Sequence, residues 1–161
     1  MNVMTPSDTL VKFLKTKENC AKWNEALQVF LPYPDTGGLS TIGWGHKLTH
    51  YDIEAGIFTH GLSQGGCDLL FLQDLKPTVT FVNKLNFATN PTQGQFDCMV
   101  DFTWNCGMGT AVTLIKMGIQ YVPSNLMHFI HDARGQVEPG LISRRQQDIA
   151  WWSGATSWLI A

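Results

Sequence analysis

The feature that most constrains the fold is a segment rich in glycine and proline, residues 33–46, that interrupts an otherwise helical pattern. Gly37-Gly38 supplies the positive φ values that a tight turn needs, and the residues that follow alternate as in a short strand. The segment therefore predicts a β-hairpin. In it, Asp35 and Thr41 are expected to lie on facing arms.

A carboxylate and a hydroxyl held in this way can together orient one water molecule, as a hydrolase requires. Cleavage of a glycosidic bond usually needs a second carboxyl group, protonated, on the other side of the bond. Glu18 is the first candidate, because it follows Leu14 by four residues on the apolar side of the first helix. The sequence thus predicts Glu18 and Asp35 as a catalytic pair, with Thr41 beside Asp35.

Length and hydrophobic content indicate one globular domain over residues 1–161, of which 44% are hydrophobic. We expect an α+β fold, with a small antiparallel sheet-bearing lobe at about 33–60 and a mostly helical lobe at about 63–161. Helix one, at about 6–30, is assigned to the helical lobe. A cleft between the lobes is expected to hold the substrate.

The ends of the predicted helices follow from capping residues and prolines. Thr5 can cap helix one, and Pro32 must end it. Ser63 caps a helix that we expect to pass Pro77 as one long connecting element. Further helices are predicted over residues 92–106, 110–117, 124–131 and 141–152.

Composition argues against several classes of function. A formal net charge of −2, with scattered Lys and Arg, disfavours nucleic-acid binding. No apolar run approaches the roughly 20 residues of a membrane span, and residues 1–13 lack the pattern of a secretory signal, so we expect no membrane insertion and synthesis in the cytoplasm. The cysteines show no CxxC pair and no histidine at metal-ligand spacing, so we expect buried free thiols, no metal and no cofactor. They are Cys20, Cys67, Cys98 and Cys106.

Four segments resemble, in order, the phage-type lysozymes of glycoside hydrolase family 24, which include the muramidases and endolysins of T-even phages. These segments are residues 13–18, 33–46, 102–107 and 140–145. The resemblance implies a lysozyme-like fold and hydrolysis of the β-1,4 bond between N-acetylmuramic acid and N-acetylglucosamine in peptidoglycan. It therefore implies a bacteriolytic, antimicrobial enzyme.

Carried over position by position, the resemblance implies three catalytic residues. Glu18 is the general acid, Asp35 is the carboxylate that activates water or stabilises positive charge, and Thr41 is the hydroxyl that positions the water. Trp44, on the hairpin, is expected to be better placed to meet a sugar ring than the tryptophans near the end of the chain.

Four further residues are expected to support the site, and the resemblance implies three of them, His46, Asp74 and Arg144. His46 is expected to form an ion pair with Asp74. Asn105 either lines the floor of the cleft or caps helical carbonyls. Arg144 either holds Glu18 in place or is an ordinary surface charge.

One departure from the family pattern is large. Sixteen residues separate Glu18 from Asp35 where the family has eight, and residues 23–30 account for the excess as an insertion. The insertion brings a rival acid, Glu25, which nine residues separate from Asp35. We favour Glu18, because the residues before it match the family and those before Glu25 do not.

The sequence therefore predicts a peptidoglycan muramidase, either a phage endolysin or a secreted bacterial toxin. It would act on the wall in the periplasm and depend on a holin or a secretion machine to reach it. The alternative is a peptidoglycan-binding or regulatory protein that kept the fold and lost turnover because the insertion at 23–30 displaced Glu18.

Overall fold

The structure is a computed structural model that describes residues 3–18, 22–35 and 38–156. Within them the α-helices are α1 Asp8–Glu18, α2 His50–Glu54, α3 Gln64–Lys84, α4 Gln93–Cys106, α5 Met108–Lys116, α6 Val122–Leu126 and α7 Pro139–Trp152, with a 3-10 turn at Ile119–Tyr121. The strands are β1 Trp23–Asn24, β2 Val29–Phe30, β3 Tyr33–Pro34, β4 Ser40–Ile42 and β5 His46–Lys47. The predicted α+β class is confirmed.

The predicted hairpin is confirmed as part of a three-stranded antiparallel sheet in the order β3-β4-β5. Tyr33 pairs with Thr41, and Thr41 pairs with Lys47 on its other side, so β4 is the central strand. Gly38 has a φ of +80°, as the tight turn requires, while Gly37 lies outside the described residues.

The prediction that helix one covers residues 6–30 is wrong, because α1 ends at Glu18. Its N-terminal cap is also two residues later than expected. The Ser7 hydroxyl, not Thr5, accepts the Leu10 N–H at 3.1 Å. Lys15 and Lys17 lie in the last turn, where positive charge favours the helix C-terminus.

Residues 23–30 form an antiparallel hairpin of their own, β1–β2, instead of two further turns of helix. Trp23 and Phe30 face each other across it, with ring centroids 4.9 Å apart. The Asn24 side chain accepts the Leu27 N–H at 3.0 Å and closes the turn. The cross-strand aromatic pair and this turn bond replace the helical stripe that the spacing of these residues suggested.

The connecting helix is confirmed as one element, because α3 runs through Pro77 without a break. The predicted helix α4 is also confirmed. The side chains of Thr92 and Gln95 form a reciprocal capping box at its start, and Gly107, with a φ of +86°, ends it. The helix predicted over 124–131 is wrong in position: α6 covers Val122–Leu126, with its proline in the first turn.

The chain forms two compact units, and the division falls inside α1 and inside α3. The first unit is residues 14–77, which contain the strands, and its core consists of Leu14, Phe30, Ile42, Cys67, Phe71 and Leu75. The second unit consists of the residues up to Phe13 and from Thr78 onward. Among the described residues no helix is long and apolar enough to cross a membrane.

The second unit is built on α4, which is buried over eight successive residues, 96–103. Gly94 at its start lies against the backbone carbonyl of Trp151 on α7, where a side chain would clash. Trp151 in turn packs edge-on against Phe13, with ring centroids 5.0 Å apart. The N-terminal turns of helix one therefore belong to the core around α4.

Candidate active site

Glu18 is the last residue of α1, and its carboxyl group lies against the turn between β4 and β5. A Cβ placed on Gly45 would lie 3.0 Å from Oε2 of Glu18. Gly45 also has a φ of +86°, which residues with a side chain rarely adopt. Glycine at position 45 thus allows the backbone of this turn to approach the carboxyl group of Glu18.

Asp35 and Thr41 are both attached to the peptide groups of one residue, Leu39. Oδ1 of Asp35 accepts the Leu39 N–H at 2.8 Å, and the Thr41 hydroxyl donates to the Leu39 carbonyl at 3.1 Å. The Asp35 N–H closes the same turn by donating to that carbonyl at 2.8 Å. The carboxylate and the hydroxyl are therefore held by one short hairpin, as the sequence predicts.

Asp35 and Thr41 differ in how far their side chains are exposed to solvent. Asp35 is partly exposed, whereas Thr41 is only 2% exposed and its hydroxyl is bonded to its own hairpin. The structure therefore gives Thr41 a definite structural bond, and its assignment to positioning water stays a prediction.

The structure places His46 and Asp74 in direct contact, as predicted. Nδ1 of His46 lies 2.9 Å from Oδ2 and 3.1 Å from Oδ1 of Asp74, which is on α3. The ring of His46 also packs edge-on against Phe58. This pair fixes β5 to α3 and gives His46 a structural role.

Sequence reasoning missed a second connection between the sheet and α3, made by Asp68. Its Oδ1 accepts bonds from Lys15 Nζ at 2.7 Å, from Trp44 Nε1 at 2.9 Å and from Gln64 Nε2 at 3.0 Å. The Trp44 ring lies under the Lys15 ammonium at 5.5 Å and beside Phe30 at 6.0 Å. The expectation that Trp44 meets a sugar ring is not favoured, because its N–H and its ring are already engaged.

The rival acid, Glu25, lies in the exposed turn of the β1–β2 hairpin. Its side chain accepts a bond from Gln28 at 3.1 Å, and its backbone carbonyl accepts one at 2.9 Å. It behaves as a solvated surface carboxylate. The insertion leaves Glu18 beside Gly45, so the geometry favours Glu18 as the acid.

The two remaining predicted residues, Arg144 and Asn105, lie in the other compact unit. Arg144 on α7 makes a two-pronged pair with Asp101 on α4, with Nε–Oδ2 at 2.9 Å and Nη2–Oδ1 at 2.8 Å. Arg144 is 7% exposed and Asp101 is fully buried, so the reading of Arg144 as an ordinary surface charge is wrong. Its predicted action on Glu18 stays a prediction.

Asn105 is held by the neighbouring arginine. Its side-chain oxygen accepts from Arg145 Nη2 at 3.1 Å, and Arg145 Nη1 lies 3.2 Å from the Cys106 sulfur. Nothing in the described contacts makes Asn105 a cap of helical carbonyls. Whether it lines the substrate cleft stays a prediction.

Four buried ionisable side chains lie together here, namely Asp101, Arg144, Arg145 and Asp148. The pKa values of the two acids shift in opposite directions. Burial raises the pKa of Asp101, but the charges of Arg144 and Arg145 and the hydrogen bonds to the carboxylate together outweigh burial and hold that pKa below its usual value. Burial, and then the negative charge of Asp101, raise the pKa of Asp148 well above its usual value. Arg145 Nε lies 2.9 Å from Asp148 but is not aligned for a hydrogen bond, so it does not reverse this shift. The surroundings of Asp148 thus favour its neutral form.

Of the described cysteines, Cys67 and Cys98 are buried free thiols and Cys106 is a half-buried one, while Cys20 lies outside the described residues. The first two confirm the expectation. Cys67 lies against the turn after β4, because a Cβ on Gly43 would be 2.9 Å from its sulfur. Among the described residues no group of three or more His, Cys, Asp or Glu side chains could hold a metal ion.

In a comparison with known families, the model of the phage lysozyme family matches residues 22–148. This range includes Asp35, Thr41 and Arg144, but it begins after Glu18. The assignment of Glu18 therefore depends on the motif before it and on its contact with Gly45. No curated protein sequence matches the chain.

Several solved structures share the fold. The endolysin of the Escherichia coli O157:H7 phage FAHEc1 is 20% identical, with 97% of this chain and 98% of that one covered and a TM-score of 0.68. The muramidase domain of SpmX from Asticaccaulis excentricus is 22% identical, with 94% and 99% covered and a TM-score of 0.68. A single-residue mutant of P22 lysozyme is 21% identical, with 94% and 99% covered and a TM-score of 0.67.

Proposed function

Because the chain belongs to the phage lysozyme family, we propose that it is a muramidase that hydrolyses the β-1,4 bond between N-acetylmuramic acid and N-acetylglucosamine and so lyses bacterial cells. One observation carries the proposal. The carboxyl group of Glu18 lies against Gly45 of the three-stranded sheet, and the same sheet carries Asp35 on its neighbouring hairpin.

In the proposed reaction, Glu18 donates its proton to the glycosidic oxygen as the bond from that oxygen to the anomeric carbon breaks. Asp35 accepts a proton from a water molecule whose oxygen forms the new bond to the anomeric carbon. The hydrogen bond from the Leu39 N–H fixes the position of the Asp35 carboxylate. The product with the new reducing end keeps the hydroxyl of the water, and the leaving product keeps the proton from Glu18. Asp35 then releases the proton that it took from the water, and Glu18 regains one from solvent, which restores both starting states.

Thr41 supports this arrangement in two ways, and both depend on its hydroxyl group. In the structure its hydroxyl fixes the Leu39 carbonyl and so the turn that carries Asp35. In the proposed second role the hydroxyl oxygen, which keeps its acceptor lone pairs, accepts a hydrogen bond from the water. Thr41→Ser keeps both possibilities, whereas Thr41→Val removes both.

The test is digestion of purified peptidoglycan, with clearing of outer-membrane-permeabilised cells measured in parallel. A muramidase leaves N-acetylmuramic acid at the new reducing end, which borohydride reduction and mass spectrometry identify. We expect this product from the wild type. A reducing N-acetylglucosamine end would contradict the proposed bond.

The matched variants are Glu18→Gln and Glu25→Gln, which make the same change at the two candidate acids. We expect Glu18→Gln and Asp35→Asn to abolish clearing and Glu25→Gln to retain it. Loss of clearing only in Glu25→Gln would move the acid role to the insertion. A folded wild type that binds peptidoglycan without cleaving it would favour the alternative of a binding protein.

A further inference from the structure

One oxygen of Asp68 connects three parts of the unit that contains Glu18. Oδ1 accepts from Lys15 near the end of α1, from Trp44 in the turn between β4 and β5, and from Gln64 in the first turn of α3. All three bonds are between 2.7 and 3.0 Å. Because Asp68 is itself on α3, it joins the end of α1 and the turn to the start of that helix.

The bonds from Lys15 and Trp44 hold the two segments of the chain that meet where Glu18 contacts Gly45. Lys15 precedes Glu18 by three residues, which is nearly one helical turn and places both on the same side of α1. Trp44 is the residue directly before Gly45. Asp68 therefore holds both backbones whose separation sets the position of the Glu18 carboxyl group.

The charge of Asp68 suits this arrangement. Its partial burial raises its pKa, but the bonds from Lys15, Trp44 and Gln64 outweigh that effect and hold the pKa below its usual value. The carboxylate is ionised, and the pair with Lys15 is partly shielded, since the two side chains are 37% and 19% exposed. An ionised acceptor makes stronger bonds to both donors than a neutral one would.

We propose that Asp68 is a positioning residue for Glu18: through Lys15 and Trp44 it sets the distance between the general acid and the turn at Gly45. This inference rests on the proposed function. It does not place Asp68 in contact with the substrate. It predicts that loosening the Asp68 bonds impairs turnover more than it impairs substrate binding.

One variant weakens all three bonds at their shared acceptor, and the other removes a single bond. Asp68→Asn keeps an acceptor oxygen but loses the charge, and Trp44→Phe keeps an aromatic ring but loses the N–H. Asp52→Asn is the matched control, because Asp52 lies in the same unit and accepts bonds from the N–H and hydroxyl of Thr49 at 2.8 and 2.6 Å. If Asp68→Asn does not fold, the kinetics of Trp44→Phe alone test the proposal.

Kinetics on purified peptidoglycan give the first readout. We expect Asp68→Asn and Trp44→Phe each to lower kcat by about tenfold while the apparent KM changes by less than about twofold, the pattern of a group that acts only in the transition state. Asp52→Asn should lower Tm and leave kcat unchanged. An unchanged kcat in both test variants, or a rise in KM that accounts for the loss, overturns the proposal.

NMR gives a readout that does not need activity. The Gly45 amide resonance should follow the titration of Glu18 in the wild type, and the response assigned to Glu18 is the part that Glu18→Gln abolishes. We expect Asp68→Asn to reduce this part, even if the wild type proves inactive on peptidoglycan. In that case the positioning role stands and the proposed function fails, whereas an undiminished response in Asp68→Asn contradicts the positioning role.

Discussion

Replacement of Gly45 by alanine tests directly whether the contact between Glu18 and the turn serves catalysis. The new Cβ would lie 3.0 Å from Glu18 Oε2 and 3.8 Å from its Cβ, so the carboxyl group must shift by a few tenths of an ångström. Because the group is the end of a flexible side chain, that shift by itself costs little stability. The backbone adds a separate cost, about 1–2 kcal/mol for a side chain at positive φ.

Gly135→Ala is the control that separates these two effects. Gly135 has a φ of +77° and nothing within 4 Å of a Cβ placed on it, so the change introduces backbone strain alone. At about 2–4 °C per kcal/mol for a chain of this size, we expect both variants to lose roughly 2–8 °C in Tm. Their loss of stability should therefore be similar.

Their activities should differ. Misplacing a reacting group by about 1 Å can cost about a hundredfold in rate, so a shift of a few tenths of an ångström at Glu18 should lower kcat by about tenfold. Gly135→Ala should keep its kcat. The assay is digestion of purified peptidoglycan at a temperature where both variants are folded. If Gly45→Ala retains as much activity as Gly135→Ala, the position of Glu18 against the turn is not what the reaction depends on.

Three further predictions concern buried groups. Asp101→Asn should lower the free energy of unfolding by about 3–5 kcal/mol in urea denaturation, because it leaves the buried Arg144 guanidinium without its carboxylate. Asp148→Asn should lower it much less, and equal losses would refute the inference that Asp101 is the charged acid of the two. The pKa of Asp148 is raised in the folded state, so its contribution to stability is full below about pH 4 and is lost as the pH rises through the folded pKa. Asp148→Asn should remove this part of the pH dependence of the unfolding free energy. Parallel curves of unfolding free energy against pH for the wild type and the variant would contradict this. Burial, and then the nearby Asp68, raise the pKa of Cys67 to about 11. Burial raises the pKa of Cys106 too, but Cys67 is only 1% exposed and Cys106 is half-buried, so at pH 8 a disulfide reagent should modify Cys67 more slowly than Cys106, as mapped by mass spectrometry.

The sequence by itself determined the elements whose signals are local. The hairpin at residues 33–46 follows from turn-forming glycine and short alternating runs, which act within a few residues. Helix α4 follows from the capping box that Thr92 opens and from the glycine at 107. The pairing of His46 with Asp74 came from the resemblance to the lysozymes, because 28 residues separate them and nothing in their spacing connects them.

Only the tertiary structure decided the form of the insertion. Apolar residues at 23, 27 and 30 fit a helical face and also fit a hairpin whose end residues face each other across two strands. The choice depends on a partner far along the chain, since Phe30 exchanges two backbone hydrogen bonds with Leu62, at 2.7 and 2.9 Å. Gly61 allows this approach, because a side chain there would clash with the Phe30 carbonyl.

The same limit applies to the candidate site. The sequence names Glu18, Asp35 and Thr41, yet it contains nothing that brings Glu18 to Gly45 or joins Lys15 and Trp44 through Asp68. These contacts depend on packing between segments that are up to about fifty residues apart, and neither residue type nor periodicity encodes such a distance. The residue types thus set which chemistry is available, and the packing sets which of the candidate acids is held in place to perform it.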